Sequence, residues 1–275
     1  MLQDNRKIFG LRRNVFFLGL VSLFNDFSAE MVYSVMPAFL TIVLGAPPIF
    51  IGFMEGFVDA FASVLKIFSG WLSDKVGKRK IFAVSGYALS VATRSVLALV
   101  GNFWHVFGLR IIDRVGKGFR DSPRDALLSE SVESHELGKS FGYHRAMDTT
   151  GAILGPLGAV LLLPLLHNDY RQLFFIAFVL GILAVITFLF VREIKTKQEI
   201  IPKVPVAFTF SLAKFSSSFR LFLGAIFIFG LGVMPVSLML LKANDVGLPV
   251  VAIPISLIGA VWLLWLLDYN MSVAV

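Results

Sequence analysis

Gly70-Trp71-Leu72-Ser73-Asp74-Lys75-Val76-Gly77-Lys78-Arg79-Lys80 is a short, strongly basic stretch with an apolar run on each side, about 48–70 before it and about 81–100 after it. Each run reaches the roughly 20 residues that a helix needs to cross the hydrocarbon of a bilayer. In a soluble core these charges would form an ordinary solvated turn. Between two membrane helices they also fix a side, because lysines and arginines gather in cytoplasmic loops. The stretch therefore reads as a cytoplasmic loop joining two spans.

The same ruler, carried along the chain, gives eight spans: about 14–40, 48–70, 81–100, 103–122, 141–165, 172–191, 219–241 and 249–267. The first is too long for a signal-peptide core and lacks a small-residue cleavage site, so it is expected to stay on the protein. Composition agrees: 57% hydrophobic residues against 16% charged leave a soluble fold too little polar surface to cover itself. The mean hydropathy of +0.81 points the same way. A net charge of +7 would suit nucleic acid, but the basic residues lie in clusters between apolar runs and not along one soluble face, so no nucleic-acid partner is expected. With no cysteine there is neither a disulfide nor a thiolate metal site.

Orientation follows from the clusters. One side carries Arg6, Lys7, Arg12 and Arg13, then Lys75, Lys78, Arg79 and Lys80, then Lys117, Arg120, Arg124 and Lys139, and finally Arg192, Lys195, Lys197, Lys203 and Lys214. The other side carries Arg171 and Lys242. Both termini and the basic loops are expected in the cytoplasm. Residues 1–191 then form a six-helix bundle, 192–218 a cytoplasmic linker, and 219–275 a pair of further helices.

Ionisable residues inside spans are costly and face a wet cavity or one another. Asp26, Glu30, Tyr33 and Pro37 follow at spacings of four, three and four, along one face of the first span, with Asn25 and Ser28 beside them. Glu55, Asp59, Ser63 and Lys66 make a similar stripe on the second, where Gly52 and Gly56 leave room for another helix. The fourth span supplies cations, Arg110, Arg114, Lys117 and Arg120, with Asp113 among them, and Arg94 adds one from the third. Two readings stand: structural ion pairs that hold the helices in register, or a cavity in which Asp26, Glu30, Glu55 or Asp59 takes and releases a proton. Spacing does not choose among the four. His144 follows Tyr143 at the start of the fifth span and is a weaker candidate, while His105, His135 and His167 read as solvated. There is no metal-ligand spacing, no cofactor motif and no phosphate-cradling loop followed by Lys-Ser or Lys-Thr, so an enzyme is not expected.

Three segments resemble the major facilitator superfamily. The Gly70–Lys80 stretch is similar to its G-x-x-x-D-[RK]-x-G-[RK]-[RK] loop, through Gly70, Asp74, Gly77, Lys78 and Arg79. Arg110 to Gly118 is similar to its fourth-helix arginine followed by Gly-x-Gly, although the usual spacing would put the arginine at Ile112. Gly142, Gly151, Gly155 and Pro156 match the G-x8-G-x3-G-P pattern of exporters, with Ala159-Val160 where two glycines are usual. Gly116 to Leu127 also looks like a bacterial subgroup of uncharacterised and drug-efflux members.

The resemblance covers roughly residues 14–241 and implies an all-α membrane protein with a six-helix N-terminal bundle and two helices of a second half. It also implies a bacterial inner-membrane transporter that works by alternating access, with a small-molecule substrate and protons as the coupling ion. In that scheme Asp74 would latch to Arg114 or Lys117 and to a helix end of the other half, and the fifth-span glycines would pack at the contact between halves. Family members generally have twelve spans, so a truncated or frame-shifted product is expected here. Besides proton-coupled efflux, a solute-uptake permease and a non-transporting membrane protein remain open.

Overall fold

In the computed structural model the chain opens with a two-stranded hairpin, β1 (Lys7–Ile8) and β2 (Leu11–Arg12). Its two-residue turn, Phe9-Gly10, has positive φ at both positions (49° and 75°), the handedness that matches strand twist. Among the described residues seven α-helices follow: α1 (Arg13–Ala38), α2 (Pro48–Val76), α3 (Arg79–Leu97), α4 (Phe103–Glu130), α5 (Leu137–Leu165), α6 (Tyr170–Leu189) and α7 (Ser217–Gly232). The structure describes residues 7–76, 79–193, 215–232 and 238, with 63, 64, 66–76 and 227–232 described as backbone alone. The expected span at 249–267 and the linker from 194 to 214 lie outside the described residues.

Local chemistry explains several boundaries. Asn102 caps α4 by accepting from the Trp104 N–H at 2.8 Å, and Asp169 caps α6 by accepting from the Arg171 N–H at 2.9 Å. Beyond Pro37 the last turns of the first span widen into a π-helix, Phe39–Val43. There the Thr41 hydroxyl donates to the Pro37 carbonyl at 2.9 Å.

The basic stretch differs from expectation: α2 runs on through Gly70 and Asp74 to Val76, and α3 begins at Arg79, so only residues 77 and 78 separate the two helices. The fourth helix likewise continues past residue 122, through Pro123, to Glu130. A run of apolar residues marks where a helix leaves lipid and not where its hydrogen bonding stops. Beyond that point α4 is amphipathic, with Leu127 and Leu128 fully buried.

α1 packs chiefly on α5 and α6, and α4 lies between α2 and α3. Two apolar clusters result. One joins Met31, Val35 and Phe39 to Met54 and Phe174, toward the end where α1 finishes; the other joins Val15, Leu18 and Val21 to Tyr87, Leu128 and Phe188, toward the end where it starts. The outer surface is apolar too, with Phe53, Leu99, Leu161, Phe175 and Ile186 exposed. Among the described residues, Arg13–Val43, Ser134–Leu165 and Tyr170–Leu189 are long and apolar enough to cross a membrane by length and composition.

At the polar end, charge ties the segments together. Arg12 donates to Glu136 at 2.9 Å and to Glu133 at 2.8 Å, and the bond to Glu136 leads the effects that hold its guanidinium above the ordinary arginine value. Asn14 donates to the Arg192 carbonyl at 2.8 Å and accepts its N–H at 3.0 Å, closing the start of α1 against the end of α6.

Candidate functional site

Between the two apolar clusters lies a belt of polar side chains at mid-depth. Asn25 and Ser28 of α1 are buried, and Asp26, Glu30 and Tyr33 are half-buried on the same helix. Glu55 of α2 accepts from Arg110 Nη2 on both oxygens, at 2.8 and 2.6 Å. The Arg110 guanidinium lies 4.3 Å from the Tyr33 ring centroid, and the Tyr33 hydroxyl donates to Asp113. Arg114, one turn further along α4, lies 5.6 Å from the same ring and 3.4 Å from Asp59, whose side chain is 68% exposed. Glu55, Asp59, Arg110, Asp113 and Arg114 thus form one cluster around Tyr33. Glu30 faces it, within electrostatic reach of Lys117, Arg110 and Arg114.

Arg94 takes another part. It was expected in the cavity, but it is buried and donates to Ser28 Oγ at 2.7 Å and Asn25 Oδ1 at 2.9 Å. The Ser28 hydroxyl in turn donates to the Ala177 carbonyl, and a Cβ on Gly181 would stand 2.9 Å from Arg94 Nη1. Arg94 therefore joins α3 to α1 and α6. Arg120 donates to the same Asn25 oxygen at 3.1 Å and stacks 4.6 Å from the Tyr87 ring centroid. Sequence reasoning missed Tyr87 and Asp148, which accepts from Ser22 at 2.7 Å and lies within hydrogen-bonding reach of Asp26. The signal was present: Asp148 sits four residues after His144 and three before Gly151, on one helical face.

The glycines divide by what they touch. A Cβ at Gly151 would fall 2.5 Å from the Leu23 carbonyl oxygen, and one at Gly155 2.5 Å from the Glu30 Cβ and 2.7 Å from the Met31 nitrogen. They let α5 meet the backbone of α1, a contact inside this bundle; the expected contact between halves lies outside the described residues. Among the described residues nothing stands within 4 Å of a Cβ at Gly142, nor of one at Gly56. Pro156 is buried inside α5 directly after Gly155.

Of the basic stretch, Gly70 and Asp74 are described as helix backbone alone, and Gly77 and Lys78 lie outside the described residues, so the expected Asp74 latch does too. Arg79 pairs with Glu130 at the far end of α4.

The sequence profile of the Major Facilitator Superfamily matches residues 18–269. The chain is 40% identical over 183 residues to an uncharacterized MFS-type transporter of Methanocaldococcus jannaschii, covering 66% of this chain and 46% of that one. It is 30% identical over 185 residues to the quinolone resistance protein NorA of Staphylococcus aureus, covering 66% of this chain and 44% of NorA. The chain thus spans less than half the length of these relatives. Among solved structures, a peptide transporter POT superposes with a TM-score of 0.61 at 20% identity, over 93% of this chain and 51% of that one. A POT family transporter in complex with 5-aminolevulinic acid superposes with a TM-score of 0.62 at 15% identity, over 66% and 39% of the two chains. At these identities the likeness is one of fold. A helical fold with an apolar exterior and a charged belt within, matched along most of its length by one family profile, is that of an integral membrane protein: the chain belongs to the Major Facilitator Superfamily.

Proposed function

We propose that the protein is a secondary transporter that exchanges protons for small molecules, moving them outward by alternating access. One observation carries this reading. Asp26 and Glu30 stand one turn apart on α1, half-buried at the depth of the polar belt, while Glu55 and Asp59 are each matched by an arginine of α4. A matched carboxylate holds helices in register; one with no cation at contact among the described residues can change charge without breaking a described pair. Protonation there would shift the balance between inward- and outward-facing states by the difference in proton affinity between them.

The resistance named for NorA supports aromatic drugs of the quinolone type as substrates and outward movement as the direction. The basic clusters support cytoplasmic placement of both termini and of the loops around residues 77 and 131–136, in a bacterial plasma membrane. We read residues 1–191 as the six-helix unit, 192–218 as a linker and 219–275 as part of a second half.

The test uses everted membrane vesicles bearing the chain, an imposed pH gradient and a fluorescent quinolone. The expected result is accumulation when the vesicle interior is acid, lost on collapsing the gradient and in Asp26→Asn. Accumulation that ignores the gradient would remove proton coupling, and none at all from a protein shown to be inserted would remove efflux.

A further inference from the structure

An ionised carboxylate only accepts hydrogen bonds; it donates one only when it carries a proton. Asp26 of α1 and Asp148 of α5 lie within hydrogen-bonding reach of each other. Their nearby donors are already placed: Ser22 Oγ donates to Asp148 Oδ1 at 2.7 Å, Arg145 Nη1 to Asp148 Oδ2 at 3.1 Å, and Asn25 Nδ2 to Asp26 Oδ1 at 2.8 Å. A hydrogen bond between the two carboxyls then needs a proton that the pair itself holds. Gly151 makes the approach possible, since a Cβ there would stand 3.1 Å from the Asp26 Cβ.

A separate observation points to the same ligand. His144, one turn before Asp148 on α5, is 5% exposed, and its Nε2 is buried with no hydrogen-bond partner among the described residues. That nitrogen is either a lone pair that can take a proton or an N–H that can give one. It lies on the side of Asp148 nearer the loop at residues 131–136.

We propose that Asp26 and Asp148 form a single proton-binding site, loaded through His144, and that this site is where proton movement is coupled to transport. Its purpose rests on the transport reading above; its chemistry does not. Uptake adds one proton to two carboxylates and gives one O–H···O⁻ bond, and release leaves two like charges facing each other across the α1–α5 contact. The groups around the pair set that balance. Arg120 and Lys117 of α4 and Arg94 of α3 act on Asp26, and Glu30 lies one turn along α1. Arg124 of α4 and His144 act on Asp148, as does Arg145, 3.1 Å away with its side chain 81% exposed. Asp121 and Arg124 of α4 face His144. On α6 the ionisable side chains, Tyr170 and Arg171, are confined to its first turn.

The experiment is difference infrared spectroscopy of the purified chain in detergent during acid titration, following the carbonyl band of a protonated carboxyl. The expected result is a band that is lost in Asp26→Asn and equally in Asp148→Asn, because an asparagine there donates its own N–H and leaves the partner ionised. It should persist, shifted, in Asp148→Glu, and in His144→Gln it should rise several-fold more slowly after a pH jump. An Asp148→Asn band of unchanged amplitude and midpoint would overturn the pair, and an unchanged rise in His144→Gln would overturn the loading route.

Should Asp148→Asn fail to fold, the wild-type band decides: a broad, strongly deuterium-sensitive band fits a shared proton, and a narrow one typical of a lone carboxylic acid overturns it. The readout follows protonation and not flux. A band that obeys the pair while vesicles move no quinolone would keep this site and remove the transport reading, and quinolone exchange without such a band would overturn the site alone.

Discussion

Arg110 holds the polar belt together. It contacts Glu55 on one side and the Tyr33 ring on the other, so α2, α1 and α4 meet at one guanidinium. Removing one partner of a buried pair strands the other charge, whereas removing both leaves a site that apolar packing can fill. Glu55→Ala is therefore expected to cost about 3–5 kcal/mol, read as a lower unfolding temperature by tryptophan fluorescence in detergent. Adding Arg110→Met to Glu55→Ala should restore most of that loss; a double variant no better than the single would show that the pair is not what holds α2 to α4. At this scale the sequence was informative about residue type and mute about partners. The four carboxylates of the first two spans were visible as candidates, but spacing along one helix carries no information about which arginine of another helix stands opposite. Arg94 shows the cost: it lies at membrane depth like the others, yet its acceptors are Ser28 and Asn25, neutral groups that no charge pattern reveals.

Among the elements, the α1–α5 contact is the most closely fitted. Gly155 and Gly142 belong to one sequence pattern, but the first meets backbone and the second, among the described residues, meets open space. Gly155→Ala is expected to cost about 1–3 kcal/mol by forcing the helices apart. Gly142→Ala should be neutral or stabilise by up to about 1 kcal/mol through helix propensity. Thermal unfolding of both variants side by side checks this, and equal effects would mean that the contact is looser than described. The helices up to residue 189 were legible because about 20 apolar residues have few other uses, but their ends were not. α2 and α4 run past their apolar portions as amphipathic or polar helix, and hydropathy marks the edge of lipid, not the last backbone hydrogen bond. Asp148 was overlooked for a related reason: a single carboxylate in a glycine-rich, apolar helix reads as an exception until α1 is placed against it.

Taken as a whole, the molecule inverts the usual soluble arrangement, with phenylalanine, leucine and isoleucine exposed outside and arginine, aspartate and glutamate held inside. That inversion is what a bilayer requires, because lipid solvates apolar side chains and leaves charges to find one another. Fold and family were legible at this scale since they depend on the spacing of apolar runs and of a few glycines and basic residues; the division of labour among the interior charges depends on three-dimensional placement and was not. The central claim is the proposed exchange, in which movement of a small molecule is coupled to a proton held at the Asp26–Asp148 pair, so substrate binding is expected to displace that proton. Titration calorimetry of the purified chain with a quinolone, repeated in buffers of different ionisation enthalpy, measures protons released per molecule bound. The account predicts release on binding, abolished in Asp26→Asn. Binding that releases no proton in any buffer, at any pH where the protein is folded, would contradict it.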